Sequence, residues 1–113
     1  MMHTVKVFGF GSFFLRNPDI AKDIDLLLLH RDVEQDSIRF AINCKRMIRT
    51  AVPLVHVVML SDAEEIELNF IRRSTAVHLA NIESDFVAQQ IAAFSHMLSS
   101  SMASALCHPE CAL

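Results

Sequence analysis

Four consecutive leucines, Leu26 to Leu29, lie between Asp25 and His30, and this segment constrains the fold more than any other. Successive side chains of a β-strand point to opposite faces of its sheet, so this run is apolar on both faces. A strand of that kind belongs in the interior of a sheet. Residues 25–30 are therefore predicted to form an interior strand of an α/β domain.

Strand and helix patterns alternate along the rest of the chain. Apolar and β-branched residues predict strands over residues 5–8, 54–60 and 75–79. Helices are predicted over residues 34–51, from the capping-box spacing of Ser61 and Glu64 to about Arg73, and over residues 84–106. This order predicts one α/β domain over residues 1–106, with a single sheet, helices packed against it and a flexible tail over residues 107–113.

Composition excludes several classes of protein. Apolar residues make up 52% of the 113 residues, which predicts a packed core. A net charge of −3 argues against a dedicated nucleic-acid binder. No apolar run approaches the roughly 18 residues of a membrane span, and Lys6 interrupts the apolar start that a signal peptide would need. Three cysteines do not make a disulfide framework, so a cytoplasmic location without membrane contact is expected.

Two aspartates, Asp23 and Asp25, lead into the interior strand. Residues i and i+2 of an extended chain point to the same side, so both carboxylates should project together. Two negative charges held that close repel each other unless a cation lies between them, and oxygen ligands suit Mg²⁺ or Mn²⁺. The alternative is that both are solvated residues at a strand end.

Both glycines of the chain, Gly9 and Gly11, lie within a predicted tight turn, Gly9-Phe10-Gly11-Ser12. Gly11 would let the backbone approach a ligand closely, and Ser12 would add a hydroxyl donor at the start of a short helical turn over residues 13–16. An ordinary turn with a capping serine is the alternative. The combination with the two aspartates is what favours a ligand site.

The segment GFGSFFLRNPDIAKDIDLLLL resembles the signature of the DNA polymerase beta-like nucleotidyltransferase superfamily, in its minimal, MNT-type members. The shared pattern is an apolar strand, Gly-Ser, a spacer, and Asp-apolar-Asp in a second strand. The segment PLVHVVMLSDAEEIELNFI looks like the one that follows the third strand in small bacterial members, so the resemblance extends to about Arg73.

The resemblance implies a nucleotidyltransferase-type mixed sheet with helices packed against it. It implies that Gly11 and Ser12 hold the triphosphate of a nucleoside triphosphate and that Asp23 and Asp25 ligate Mg²⁺ or Mn²⁺. Arg16 and Lys22 depart from the family pattern in the spacer; both are expected at the nucleotide, with pairing of Lys22 to Asp23 as the alternative. The implied reaction is the transfer of a nucleoside monophosphate to a hydroxyl of a protein or RNA, with pyrophosphate as the leaving group. A separately encoded helical partner of the HEPN type is implied in the same way.

His56 occupies the place of the third carboxylate of that family, and no acid within residues 54–61 replaces it. Imidazole favours softer metals than Mg²⁺. Three interpretations of His56 remain open. It could be a hydrogen-bonded core residue on the inward side of its strand, part of a degraded metal site, or a working ligand or base. The chain is accordingly either a Mg²⁺-dependent transferase, impaired by His56, or an inactive nucleotide-binding or protein-interaction module.

Three other features allow a binding role beside a purely structural one. Arg39, Arg46 and Arg49 share one face of the predicted helix 34–51, which is typical of a solvated face and would also suit RNA, a triphosphate or an acidic partner. The apolar helix 84–106 would pack in the core, and any surplus apolar surface would support a homodimer or a partner helix. Cys107, His108 and Cys111 offer three soft ligands, one fewer than a structural zinc site uses.

Overall fold

A four-stranded mixed sheet is the centre of the computed structural model, which describes residues 3–11, 14, 23–31 and 34–106. Its strands are β1 (Thr4–Phe10), β2 (Ile24–His30), β3 (Val55–Ser61) and β4 (Val77–Glu83), in the spatial order β3-β2-β1-β4. Strand β1 is antiparallel to both of its neighbours, and β2 runs parallel to β3. The sheet is therefore of the mixed α/β class that the sequence predicts.

Helices cover both faces of this sheet. Helix α1 (Gln35–Ala51) connects the parallel strands β2 and β3, as a parallel pair requires. Short helices α2 (Asp62–Leu68) and α3 (Phe70–Ser74) follow β3, and a 3₁₀ turn (Ser84–Phe86) leads from β4 into helix α4 (Val87–Leu106). Among the described helices, none is both long and apolar enough to cross a membrane.

Two apolar clusters, one on each face, hold the sheet and helices together, and both include residues of β2. Leu26 and Leu28 pack in the larger cluster with buried residues of α1 and α4, such as Ile48 and Phe94. Leu27 and Leu29 pack on the opposite face with Leu60, against residues of β1 and α3. The prediction that the leucine run forms an interior strand is confirmed.

Helix α1 packs on the sheet through Ala41, Cys44 and Ile48, which are fully buried, whereas Ile42 is 49% exposed. Burial raises the pKa of the Cys44 thiol from 9.0 to about 12, because a thiolate loses its hydration in this apolar cluster. Cys44 is therefore a core residue and not a nucleophile.

Strand β1 is longer than predicted, because Gly9 and Phe10 continue its pairing with β2 opposite Leu26 and Asp25. The predicted turn at Gly9 and Phe10 is wrong, and the chain leaves the sheet only at Gly11. There the amide of Phe14 donates to the carbonyl of Gly11 over 3.2 Å. Strand β1 extends to this point because it pairs with β2, and local sequence does not reveal that pairing.

The segment predicted as one helix from Ser61 to Arg73 forms two helices that meet at Asn69. The start is as predicted: the amide of Glu64 donates to the hydroxyl of Ser61 over 3.2 Å, and the amide of Ser61 donates to the carboxylate of Glu64 over 2.9 Å. The bond from the backbone amide of Ser61, followed by one from its side chain, lowers the pKa of the Glu64 carboxyl. Asn69 has a φ of 52°, and the carboxylate of Glu65 accepts the amide of Phe70, so a new helix begins.

Strand β4 begins and ends later than the predicted strand over residues 75–79. Thr75 has a φ of 57° and ends α3, which delays the strand to Val77. The strand then pairs with β1 from Gly9, opposite Val77, to Thr4, opposite Glu83. Its partner therefore decides its length.

Candidate functional site

One end of β1 and the first residues of β2 and β3 meet at the same edge of the sheet. Asp25 lies opposite Phe10 in the antiparallel neighbour and opposite His56 in the parallel neighbour. Residues opposite each other in a sheet project to the same face, so these three side chains share one face. The fold therefore joins the glycine corner, the aspartates and His56, which are far apart in sequence.

Gly11 lies directly against the carboxylate of Asp25. Its φ is +82°, a conformation that residues with a side chain rarely adopt. A Cβ atom at Gly11 would overlap Oδ2 of Asp25 and would lie 3.4 Å from its Cγ. This corner consequently needs glycine both for its backbone conformation and for the space that the carboxylate occupies.

Asp23 forms the second contact of the site, with His56. Oδ1 of Asp23 lies 3.6 Å from Nε2 of His56, and the two side chains are 49% and 67% exposed. The interpretation of His56 as a buried core residue is wrong. His56 is near the start of an edge strand, and the face that it shares with Leu60 becomes buried only toward that residue.

The two aspartates have different neighbours. Asp25 belongs to β2 and borders Gly11, whereas Asp23 precedes the strand and borders His56. Among the described residues, no group of three or more His, Cys, Asp or Glu side chains could hold a metal ion. The protein alone therefore offers fewer donors here than a closed metal site contains.

Two carboxylates nevertheless fit Mg²⁺ when a phosphate ligand completes the site. Magnesium is usually held by one or two protein carboxylates, with water and substrate phosphates as the remaining ligands. The oxygen donors of Asp23 and Asp25 have that chemistry, and the nitrogen of His56 does not.

Aromatic residues form an apolar wall beside Asp25. Phe10 packs edge-on against Phe70 of α3, with ring centroids 5.0 Å apart and an interplanar angle of 89°. Sequence reasoning missed both residues, because Phe10 lay in the predicted turn and Phe70 in the predicted long helix. Phe8 and Phe10 are two residues apart, and residues i and i+2 of a strand lie on the same face. This spacing could have indicated that the strand continues to Phe10.

Several predicted residues lie outside the described part of the chain. Ser12, Arg16 and Lys22 belong to the predicted phosphate-binding segment, and Cys107, His108 and Cys111 to the tail. The structure thus describes Gly11, Asp23, Asp25 and His56 of the predicted site.

No protein-family model matches the sequence, and no curated protein or solved structure matches the chain.

Proposed function

We propose that this chain is a minimal nucleotidyltransferase-like protein that binds a nucleoside triphosphate with Mg²⁺ and transfers a nucleoside monophosphate to a hydroxyl of a protein or RNA. The observation that carries the proposal is the contact between the Gly11 backbone and the carboxylate of Asp25. A backbone corner without a side chain, placed against a metal-type ligand, can bring phosphate and carboxylate close together.

Asp23 and Asp25 would hold Mg²⁺ together with the phosphates of the nucleotide. When bound, Mg²⁺ neutralises phosphate charge and makes the α-phosphorus more electrophilic. The protein would contribute orientation: the backbone of Gly11, which borders the Asp25 carboxylate, would lie beside the triphosphate, and the wall of Phe10 and Phe70 would offer an apolar surface to a nucleobase.

In this proposal His56 would take the proton of the acceptor hydroxyl. Its imidazole is exposed and lies beside Asp23, which can orient it. In the transfer, the acceptor oxygen forms a bond to the α-phosphorus and the bond from that phosphorus to the pyrophosphate oxygen breaks. The hydroxyl proton passes to the imidazole, and pyrophosphate leaves.

A second candidate function follows from the same residue. Position 56 lies opposite Asp25 and holds no carboxylate, so the site has one negative charge fewer than the resemblance implies. A site of this kind can retain the nucleotide without performing the transfer. The alternative is thus an inactive nucleotide-binding or protein-interaction module.

Isothermal titration of the protein with ATP and Mg²⁺ tests the shared premise of both candidates. Asp25→Asn should abolish Mg²⁺-dependent binding and leave the fold intact, because it removes a charged oxygen ligand without changing the side-chain shape. Asp85→Asn is the matched control, since Asp85 is exposed and follows β4 at the other end of the sheet. Equal ATP affinity of the Asp25→Asn variant and the parent would overturn the nucleotide site.

A further inference from the structure

A groove of about 880 Å³ lies between α1 and β3, on the face of the sheet opposite His56. Three cations of α1 line it, and apolar residues of α1 and β3 complete its surface. The cations are Lys45, Arg46 and Arg49, and the apolar residues include Ile42, Val55 and Met59. Of the residues that the structure describes, no acidic or aromatic one lines the groove.

The cations of this groove are available to an anion. Arg46 donates to the side-chain carbonyl of Asn43 over 3.1 Å. Because this amide carries no charge, the bond does not neutralise the guanidinium. Within the described residues, none of Lys45, Arg46 and Arg49 forms an ion pair with an acidic side chain. A chain of net charge −3 therefore gathers three uncompensated positive charges in one groove.

The groove runs along β3, an edge strand without the lysine or proline residues that commonly prevent an edge strand from pairing with another chain. Among the described strands, β3 has one neighbour, β2, so half of its backbone amides and carbonyls face outward. Its sequence VHVVMLS contains no lysine or proline, and Val58 is 38% exposed. The opposite edge strand, β4, differs because it carries polar residues such as Asn81 and Glu83 and a register shift in its pairing.

We propose that β3 binds an extended acidic segment of a partner protein, which joins the sheet as an additional strand and places its carboxylates in the groove. Backbone hydrogen bonds to the free edge would supply affinity, and the alternation of side chains would supply selectivity. Acidic residues of the segment would point toward Lys45, Arg46 and Arg49. The β-branched residues between them would point to the other face, where Val58 is exposed.

The chemistry of the groove favours this occupant over two others. Single-stranded nucleic acid usually needs aromatic residues for base stacking, and in the described part of the chain none lines the groove. A second copy of the chain, paired through its own β3, would bring a second set of the same cations beside the first. Like charges opposed in this way destabilise the pair.

Fluorescence anisotropy with three labelled probes tests the proposal. The first is a synthetic peptide of alternating glutamate and valine, the second is its lysine-valine counterpart, and the third is single-stranded oligouridylate. We expect the glutamate-valine peptide to bind and the lysine-valine peptide not to bind. Arg49→Glu should weaken binding at least about tenfold, because it turns an attractive contact into a repulsive one.

Arg39→Glu is the matched control, since Arg39 is an exposed arginine on the same helix that does not line the groove. It should leave the affinity unchanged. Arg49 lies in the last turn of α1, where a cation stabilises the helix, so Arg49→Gln replaces Arg49→Glu if the latter does not fold. Amide hydrogen exchange should slow at alternate residues of β3 when the peptide binds.

The proposal is overturned if the glutamate-valine peptide does not bind, or if it binds Arg49→Glu and the parent equally. Binding without slower exchange in β3 also overturns it, because the peptide would then not be a strand. Tighter binding of oligouridylate through Arg49 would assign the groove to nucleic acid instead. A dimer in sedimentation that buries β3 would assign it to a second copy.

Discussion

Asp25 lies directly opposite His56 across the parallel strands β2 and β3. The pairing makes position 56 the nearest place on β3 from which a side chain can join Asp25 on the same face of the sheet. In this chain that side chain is an exposed imidazole, and it contacts Asp23 instead. The chemical identity of one residue on β3 thus determines how many carboxylates the site contains.

Replacement of His56 by aspartate should strengthen the site. His56→Asp adds a third hard oxygen ligand opposite Asp25, so we expect Mg²⁺ affinity to rise on the order of tenfold, which is about 1.4 kcal/mol. Transfer of labelled nucleotide from ATP should rise with it, and titration with Mg²⁺ measures both effects.

His56→Asn is the control for this change, because it removes the imidazole without adding a charge, and it should lower any transfer activity of the parent. Lower activity in the His56→Asp variant than in the parent would contradict the prediction. It would show that the imidazole has a role that a carboxylate cannot fill.

Alanine at Gly11 should affect both stability and nucleotide binding. The φ of +82° strains any residue with a Cβ atom, at about 1–2 kcal/mol, and that atom would displace the carboxylate of Asp25. We expect a lower melting temperature and weaker Mg²⁺-dependent ATP binding, measured by thermal denaturation and by titration.

Gly9→Ala provides the comparison, because a Cβ there would lie 2.7 Å from the ring of Phe14 and would not approach Asp25. It should lower stability but retain ATP binding. If Gly11→Ala binds ATP as tightly as Gly9→Ala does, the glycine corner has no part in holding the nucleotide.

Loss of the hydroxyl of Ser61 should destabilise α2 by about 1 kcal/mol, the usual effect of removing a helix N-cap. Ser61 is 1% exposed, and its hydroxyl accepts the amide of Glu64. Ser61→Ala should therefore lower the melting temperature by more than Ser74→Ala. The latter also removes a hydroxyl bonded to backbone, but at the last residue of α3 and not at the start of a helix. Equal effects of the two variants would argue against the cap.

Glu64 should contribute to stability in a pH-dependent way. The bonds from Ser61 lower the pKa of its carboxyl below the ordinary value of 4.5. Stabilisation is therefore complete above that value and is lost as pH falls through the lower, folded-state pKa. Glu64→Gln should reduce the decline in melting temperature on this acidic side. An unchanged decline would mean that Glu64 does not couple to folding.

Cys44 should oppose folding at alkaline pH. Its pKa is about 12 in the folded chain against 9.0 for an ordinary thiol, because burial disfavours the thiolate. Its contribution to stability is thus fully present below pH 9 and is lost as pH rises toward 12. Denaturant titrations across this range should show a steeper loss of stability for the parent than for Cys44→Ala.

Alkylation checks the same property in a variant in which Cys107 and Cys111 are serine, so that Cys44 is the one thiol left. Iodoacetamide at mildly alkaline pH should modify Cys44 only after denaturation. Rapid modification of the folded variant would show that the thiol is exposed.

Local sequence determined the kind of structure that each segment forms. The leucine run is apolar on both faces wherever it is placed, so it had to become an interior strand. The capping box of Ser61 and Glu64 forms within a single turn, so sequence spacing was enough to predict it. Asp23 and Asp25 follow from the alternation of a single extended strand, whereas the interest of His56 comes from the family resemblance.

Tertiary structure alone decided how these residues meet. The pairing of β1 with β2 carried Phe10 into the sheet and placed Gly11 against Asp25, and the edge position of β3 left His56 exposed beside Asp23. It also left the groove between α1 and β3 open, with its cations gathered along one side. Strand neighbours and edges are set by contacts between residues distant in the chain, and local spacing holds no information about them.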